Sequence, residues 1–208
     1  MNKQQRTRIK VCGITRLDDA LTASRMGVDA IGFVFYPKSP RYILPMQAAK
    51  IIRQLPPFVS AVGLFVNPKQ SDIDEVLQHC PLGVIQLHGD EPPEFCMAQS
   101  RRVMKAIPVS SAEDLKRAQS YPCPVLLDAK APEGVYGGTG TSFDWSLLEG
   151  FEHNHPLILA GGLNATNIEA ALTVRQWFAV DVSSGIESSP GIKDETKLSE
   201  FVAHVNRF

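Results

Sequence analysis

Short apolar runs recur along the chain at 9–12, 30–35, 60–66, 84–88, 103–107, 125–128, 157–160 and 178–182, separated by longer stretches in which apolar residues return every three or four positions. Runs of this length predict strands, and strands that alternate with helical stretches predict parallel pairing through crossover helices. The fifth run is the faintest of the eight.

The stretches between the runs carry helix start and stop signals. Asp18 and Asp19 open a helix that Gly27 ends, and Pro45 sits where a first-turn proline is tolerated ahead of Ala48, Ala49, Ile51 and Ile52. Ser71 with Asp74, and Ser110 with Glu113, have the spacing of capping boxes. Asn164 or Thr166 can cap a helix over 168–172, and 194–205 reads as a final amphipathic helix. The pattern breaks once, after Asp128, where 131–140 includes Gly134 and Gly137-Gly138-Thr139-Gly140. This is too glycine-rich for a helix and long for a strand-to-helix loop, so a lid or an insertion is expected there.

Eight strand–helix units without a linker predict an α/β fold, a compact single-domain (βα)8 TIM barrel over 1–208, with a doubly wound open sheet as the alternative. The count of eight and the glycines after the last two strands favour closure. In a closed barrel the chemistry gathers at the C-terminal ends of the strands.

Composition narrows the partners. The 208 residues are 44% hydrophobic and 21% charged, ordinary globular usage, and the net charge of −1 offers no general attraction for nucleic acid. Cys12, Cys80, Cys96 and Cys123 are irregularly spaced, with no C-x-x-C pair and no histidine at ligand spacing, so neither a disulfide framework nor a metal site is expected. The basic N-terminus lacks the apolar stretch of a secretory signal, and no run approaches the length of a membrane span. A soluble, cytoplasmic protein follows as the expectation. The outer helices show no clearly excess apolar face, which leaves a monomer as the default.

The strand ends supply the candidate chemistry. Strand side chains alternate between faces, so Lys10 and Cys12 project to one side and Ile9 and Val11 to the other. A neighbouring ammonium favours the thiolate of a cysteine. The other ends present His88, Asp128 and Asp181, with Gln86 and Ser183 two residues away on matching faces. A barrel interior is ordinarily Val, Ile and Leu, so several polar groups at one end need a reason beyond stability. The turns after the last two strands, Gly161-Gly162-Leu163-Asn164 and Ser183-Ser184-Gly185, leave backbone N–H groups open, as a phosphate site requires. Arg41, in a proline-stiffened loop after the second run, can fork onto a carboxylate or phosphate.

With Lys10-Val11-Cys12-Gly13-Ile14-Thr15, Ser39-Pro40-Arg41-Tyr42, Gln86-Leu87-His88-Gly89-Asp90-Glu91, Leu126-Leu127-Asp128-Ala129 and Asp181-Val182-Ser183-Ser184-Gly185-Ile186-Glu187 in order, nearly the whole chain resembles the phosphoribosylanthranilate isomerases of tryptophan biosynthesis. The resemblance implies an Amadori rearrangement of a phosphorylated small-molecule substrate, without cofactor or metal. It implies Asp128 as general acid and Cys12 as general base, Arg41 against the anthranilate carboxylate, and Gly161, Gly162, Ser183, Ser184 and Gly185 around the phosphate. Asp181 is expected to touch sugar hydroxyls, and His88 either to touch substrate or to support the residues that do. Asp128 must then hold a proton near neutral pH, which burial or an anionic substrate would favour, and Cys12 must ionise, with Lys10 the candidate that promotes it.

Two rival enzymes and one non-enzyme remain. Histidine-pathway isomerase barrels resemble this one but carry an aspartate where Cys12 stands. A metal-dependent pentose-phosphate epimerase needs several inward histidines, and only His88 ends a strand. A barrel that merely binds a phosphorylated ligand would have no use for an acid and a base at its strand ends.

Overall fold

The computed structural model describes residues 6–130 and 142–208. Eight parallel strands close on themselves: β1 (Arg8–Val11), β2 (Ala30–Val34), β3 (Ser60–Phe65), β4 (Val84–Leu87), β5 (Arg102–Val109), β6 (Val125–Ala129), β7 (Leu157–Leu159) and β8 (Ala179–Val182). The seam that makes a barrel of the sheet is β8 against β1, in a register that sets Lys10 opposite Asp181. The open-sheet alternative is excluded by that pairing. The helices are α1 (Leu17–Arg25), α2 (Pro45–Ile52), α3 (Gln70–His79), α4 (Pro93–Met97), α5 (Ala112–Gln119), α6 (Ile168–Val174) and α7 (Glu195–Val205).

Alternation divides the core in two. Ile9, Val11, Ile85, Leu87, Leu127, Leu159 and Val180 face outward and join Ala20, Ala23, Ile73, Leu115 and Phe201 of the helices in one large cluster. The inward residues make two small clusters. Met104, Ala106, Leu126, Ile158 and Ala179 fill the lower barrel, and Cys12, Val34 and Leu64 with Tyr36 and Val66 form the upper one. The upper layer therefore holds a thiol among apolar side chains, directly below the open end. Between the last two units Trp177 is 2% exposed and its Nε1 donates to the Ala171 carbonyl at 3.0 Å. Truncating an aromatic buried in this way costs about 3–5 kcal/mol.

Several local expectations shift. The faintest strand, β5, is the longest at 8 residues, because its Lys105 lies buried in an ion pair with Glu91 (3.0 Å) and so interrupts the apolar run without leaving the core. The expected capping pairs are displaced by one or two positions. Asp72 accepts from the Lys69 N–H (2.8 Å) and Asp114 from the Ser111 N–H (3.1 Å), since each helix begins next to the predicted cap. At α6 the cap position is Asn167, while Asn164 Oδ1 accepts from the Thr166 N–H just before it. Pro45 opens α2 as predicted, and Asp194, expected as the first residue of the final helix, stands just before α7 and caps it through the Lys197 N–H (3.0 Å). After β6 the described chain resumes in a short 3-10 turn, Trp145–Leu148, where an eighth outer helix was expected. The Gly137 to Gly140 segment expected as a lid lies outside the described residues. A small antiparallel pair, β9 (Glu187–Ser189) with β10 (Ile192–Lys193), follows β8 and has no counterpart in the sequence reading.

Candidate active site

The C-terminal ends of the strands converge on one cavity whose lining includes Cys12, Arg41, Gln86, His88, Asp128, Gly161, Gly162, Asp181, Ser183 and Ser184. Cys12 and His88 lie one residue past β1 and β4, while Asp128 and Asp181 lie within β6 and β8, so four separate strands deliver them to the same opening. His88 Nε2 lies 3.2 Å from Asp128 Oδ2, and its other ring nitrogen lies 3.1 Å from Gln86 Nε2. Lys10 does not reach the cavity surface. It lies below, 3% exposed, with its Nζ donating to Asp181 Oδ1 at 2.8 Å.

Burial and this ion pair set the charge state of the thiol. Desolvation pushes Cys12 above its ordinary value, the Lys10 ammonium pulls it back, and the Asp181 carboxylate pushes it up again, so the net direction is upward. Lys10 therefore acts on the thiol in the direction expected from the sequence, without setting the net direction. Its attraction exists, but burial outweighs it and Asp181 shares it. For Lys10, desolvation acts downward, but Asp181 and Cys12 together hold it above its ordinary value as a cation. Asp181 is raised by desolvation, against Lys10 and with the repulsion of Asp128.

Arg41 reaches the cavity from the loop after β2, held by a partner that the sequence did not suggest. Its Nε and one terminal nitrogen donate to the two oxygens of Glu187 at 2.9 and 2.7 Å, the bidentate geometry that fixes a guanidinium. Glu187 begins β9 and also accepts from Lys193 Nζ at 2.7 Å. Lys193 in turn donates to the carbonyl of Cys12 (2.6 Å), to which Ser183 Oγ also donates (3.1 Å). The β9–β10 hairpin thus ties the end of β1, the turn after β8 and Arg41 together. Lys193 gives no signal in the sequence, because its partners lie up to 181 positions away.

Two glycines make room for Asp128 and Cys12. A side chain on Gly32 of β2 would place its Cβ 2.9 Å from Cys12 Sγ and 3.2 Å from Lys10 Cε. Gly161 has φ +87°, and its Cβ would fall 2.5 Å from the Ala129 nitrogen and 3.1 Å from Asp128 Oδ1. Gly161 was marked as part of a phosphate turn; the geometry adds that it lets the chain pass beside Asp128. Gly162, Ser183 and Ser184 stand with it at the cavity, whereas Gly185 packs behind them against the Leu163 carbonyl.

A larger cavity of about 750 Å³ opens at the opposite, N-terminal end of the barrel beside Pro56, Pro57 and Phe58. Arg8, Lys10, Asp29 and Arg102 are among its lining, but strand-end chemistry in a closed barrel favours the other end.

The family model described as N-(5'phosphoribosyl)anthranilate (PRA) isomerase matches residues 9–204. The N-(5'-phosphoribosyl)anthranilate isomerase of Trichlorobacter lovleyi is 50% identical over 197 residues, covering 94% of this chain and 96% of its own. The crystal structure of the Thermotoga maritima phosphoribosyl anthranilate isomerase superposes with a TM-score of 0.89 at 47% identity, covering 97% of this chain and 100% of that one. A phosphoribosyl anthranilate isomerase solved in complex with reduced 1-(o-carboxyphenylamino)-1-deoxyribulose 5-phosphate has a TM-score of 0.86 at 44% identity, with the same coverage. A match of this extent, on a barrel whose strand ends gather a carboxyl group and a thiol, settles the family: this chain belongs to the N-(5'-phosphoribosyl)anthranilate isomerases.

Proposed function

We propose that Asp128 and Cys12 are the general acid and general base of the Amadori rearrangement by which N-(5-phosphoribosyl)anthranilate becomes 1-(2-carboxyphenylamino)-1-deoxyribulose 5-phosphate. The observation that carries this is their position on one cavity from opposite parts of the barrel wall, β6 and the end of β1. Asp128 gives its proton to the ribose ring oxygen, the C1–O bond breaks, and the nitrogen lone pair forms the imine. The Cys12 thiolate then takes the C2 proton, leaving an enolamine that tautomerises to the ketose. Groups placed in this way contribute about 10²–10⁴-fold each.

The rest of the cavity suits the two ends of this substrate. Arg41, fixed by Glu187, keeps a terminal nitrogen free of that carboxylate for the anthranilate carboxylate. Gly161, Gly162, Ser183 and Ser184 line the side where a phosphate would sit, with Gly185 shaping the turn from behind. Asp181 faces the sugar, held in place by Lys10 at 2.8 Å. His88 supports Asp128.

Turnover of freshly generated phosphoribosylanthranilate, followed as loss of its fluorescence, tests these roles. Cys12→Ala and Asp128→Ala are expected to lose at least about 10²-fold in kcat. Wild-type rates in both would overturn the assignment, and binding without turnover by the wild type would favour a phosphate-binding barrel.

For assembly, the Thermotoga maritima enzyme is described as dimeric. Phe58 is 97% exposed beside the apolar cavity at the N-terminal end of the barrel, which supports self-association of this chain through that end over the monomer expected from its helices. A reducing compartment, the cytoplasm, suits a reaction that needs Cys12 as a thiol; all four cysteines are free.

A further inference from the structure

Lys193 is buried on β10, and its Nζ has three acceptors at hydrogen-bond distance: the Cys12 carbonyl at 2.6 Å, Glu187 Oε1 at 2.7 Å and the Ser183 carbonyl at 3.3 Å. Three acceptors need three N–H groups, which only the charged form of a lysine carries. Burial pushes Lys193 below its ordinary value, against the attraction of Glu187 and Cys12. A charge held out of water is costly, so its presence here calls for a reason.

Neither of its nearest partners requires it. Glu187 already has both oxygens in the bidentate bond from Arg41, and the Cys12 carbonyl already accepts from Ser183 Oγ at 3.1 Å. With Lys193 added, two cations stand against the one carboxylate of Glu187. Asp19 of α1 is turned elsewhere, to the backbone N–H of Lys193 (3.0 Å) and toward Arg16 (3.8 Å), and Lys197 of α7 brings a further cation to the Glu187 carbonyl. On the other side of the thiol Lys10 is matched by Asp181 at 2.8 Å, and His88 and Asp128 face one another at 3.2 Å. The positive charge left over therefore lies under the Cys12 peptide. Both ammoniums pull the thiol downward, Lys10 ahead of Lys193, while Asp181 opposes them.

We propose that Lys193 is a positioning residue for Cys12: its ammonium holds the Cys12 carbonyl in place and sets beside the thiol a positive charge that the Arg41–Glu187 pair does not need. Arg41 and Cys12 are then placed by one connected group, in which Glu187 aims the guanidinium and Lys193 serves the thiol. The consequence for rate rests on Cys12 being the base. The titration of the thiol is a property of the protein without substrate.

The test is alkylation of Cys12 by iodoacetamide across pH, read by mass spectrometry of its peptide, beside kcat and KM in Lys193→Met and Lys193→Gln. Lys193→Met leaves Glu187 paired with Arg41. It is expected to move the Cys12 titration up by about half a pH unit, slowing alkylation at neutral pH about threefold. Its kcat is expected to fall about tenfold with KM near wild type, since the thiol shifts while Arg41 stays aimed. Lys193→Gln can still donate to the Cys12 carbonyl but carries no charge, so it is expected to move the titration as far and to regain part of kcat. A wild-type Cys12 titration in both variants would overturn the proposal even at lowered kcat, as would a Lys193→Gln protein no faster than Lys193→Met. A raised KM at unchanged kcat would assign Lys193 to Arg41 and overturn it equally. The expected titrations together with a fully active Cys12→Ala would preserve the action of Lys193 on the thiol and remove Cys12 as the base.

Discussion

Lys10 Nζ and Asp181 Oδ1 lie 2.8 Å apart inside the barrel, on residues paired across the seam between the first strand and the last. The ammonium beside the thiol is therefore shared with a carboxylate, and the carboxylate opposes ionisation of Cys12. Asp181→Asn is expected to bring the Cys12 titration down and Lys10→Met to push it further up, each pH unit changing the alkylation rate by iodoacetamide at neutral pH about tenfold. Lys10→Met also leaves Asp181 buried and unpaired, at about 3–5 kcal/mol of stability. Shifts in the same direction in both variants would remove this account of the thiol.

Glu187 holds Arg41, and its loss should read as binding. Glu187→Gln is expected to raise KM while kcat stays near wild type, since a guanidinium without its bidentate partner is no longer aimed. A fall in kcat at unchanged KM would place Arg41 in the chemistry.

The same carboxylate gives an acid limit to stability. Burial pushes Glu187 up, but Arg41 and Lys193 outweigh it and hold the folded value below the ordinary 4.5. A depressed folded value means that the contribution is full above about pH 4.5 and is lost as pH falls through the lower folded value. Thermal midpoints measured down the acid range should fall less steeply in Glu187→Gln than in wild type.

Gly32→Ala places a methyl carbon 2.9 Å from Cys12 Sγ, closer than a Cβ contact tolerates. The thiol must move, so kcat is expected to fall by about 10²-fold, the effect of misplacing a reacting group by roughly 1 Å. A retained kcat would count against Cys12 as the base.

Self-association through the N-terminal end of the barrel predicts that Phe58→Glu has half the wild-type mass by light scattering, with kcat preserved because the cavity that holds Cys12 and Asp128 is at the other end. A monomeric wild type would refute that interface.

Much of this was legible before any coordinates. Strand positions follow from β-branched runs, and the inward direction of Lys10, Cys12, Gln86 and Asp181 follows from strict alternation, since a period of two carries no ambiguity once one residue is placed. Cap positions slipped by one or two residues because neighbouring polar residues at 69–72 and 110–114 offer nearly equivalent starts. β5 is faint in the sequence because Lys105 interrupts its apolar run, and only its buried pairing with Glu91 makes it part of the core.

What local pattern could not supply is who meets whom. Lys10 and Asp181 are 171 positions apart, Arg41 and Glu187 146, and each pair is made only when β8 closes on β1 and the β9–β10 hairpin folds over the seam. Periodicity is a property of neighbours in the chain and places a side chain on a face. The charge on the Cys12 thiol, the aim of Arg41 and the partner of Asp128 depend on distances between faces, and those exist only in the closed barrel.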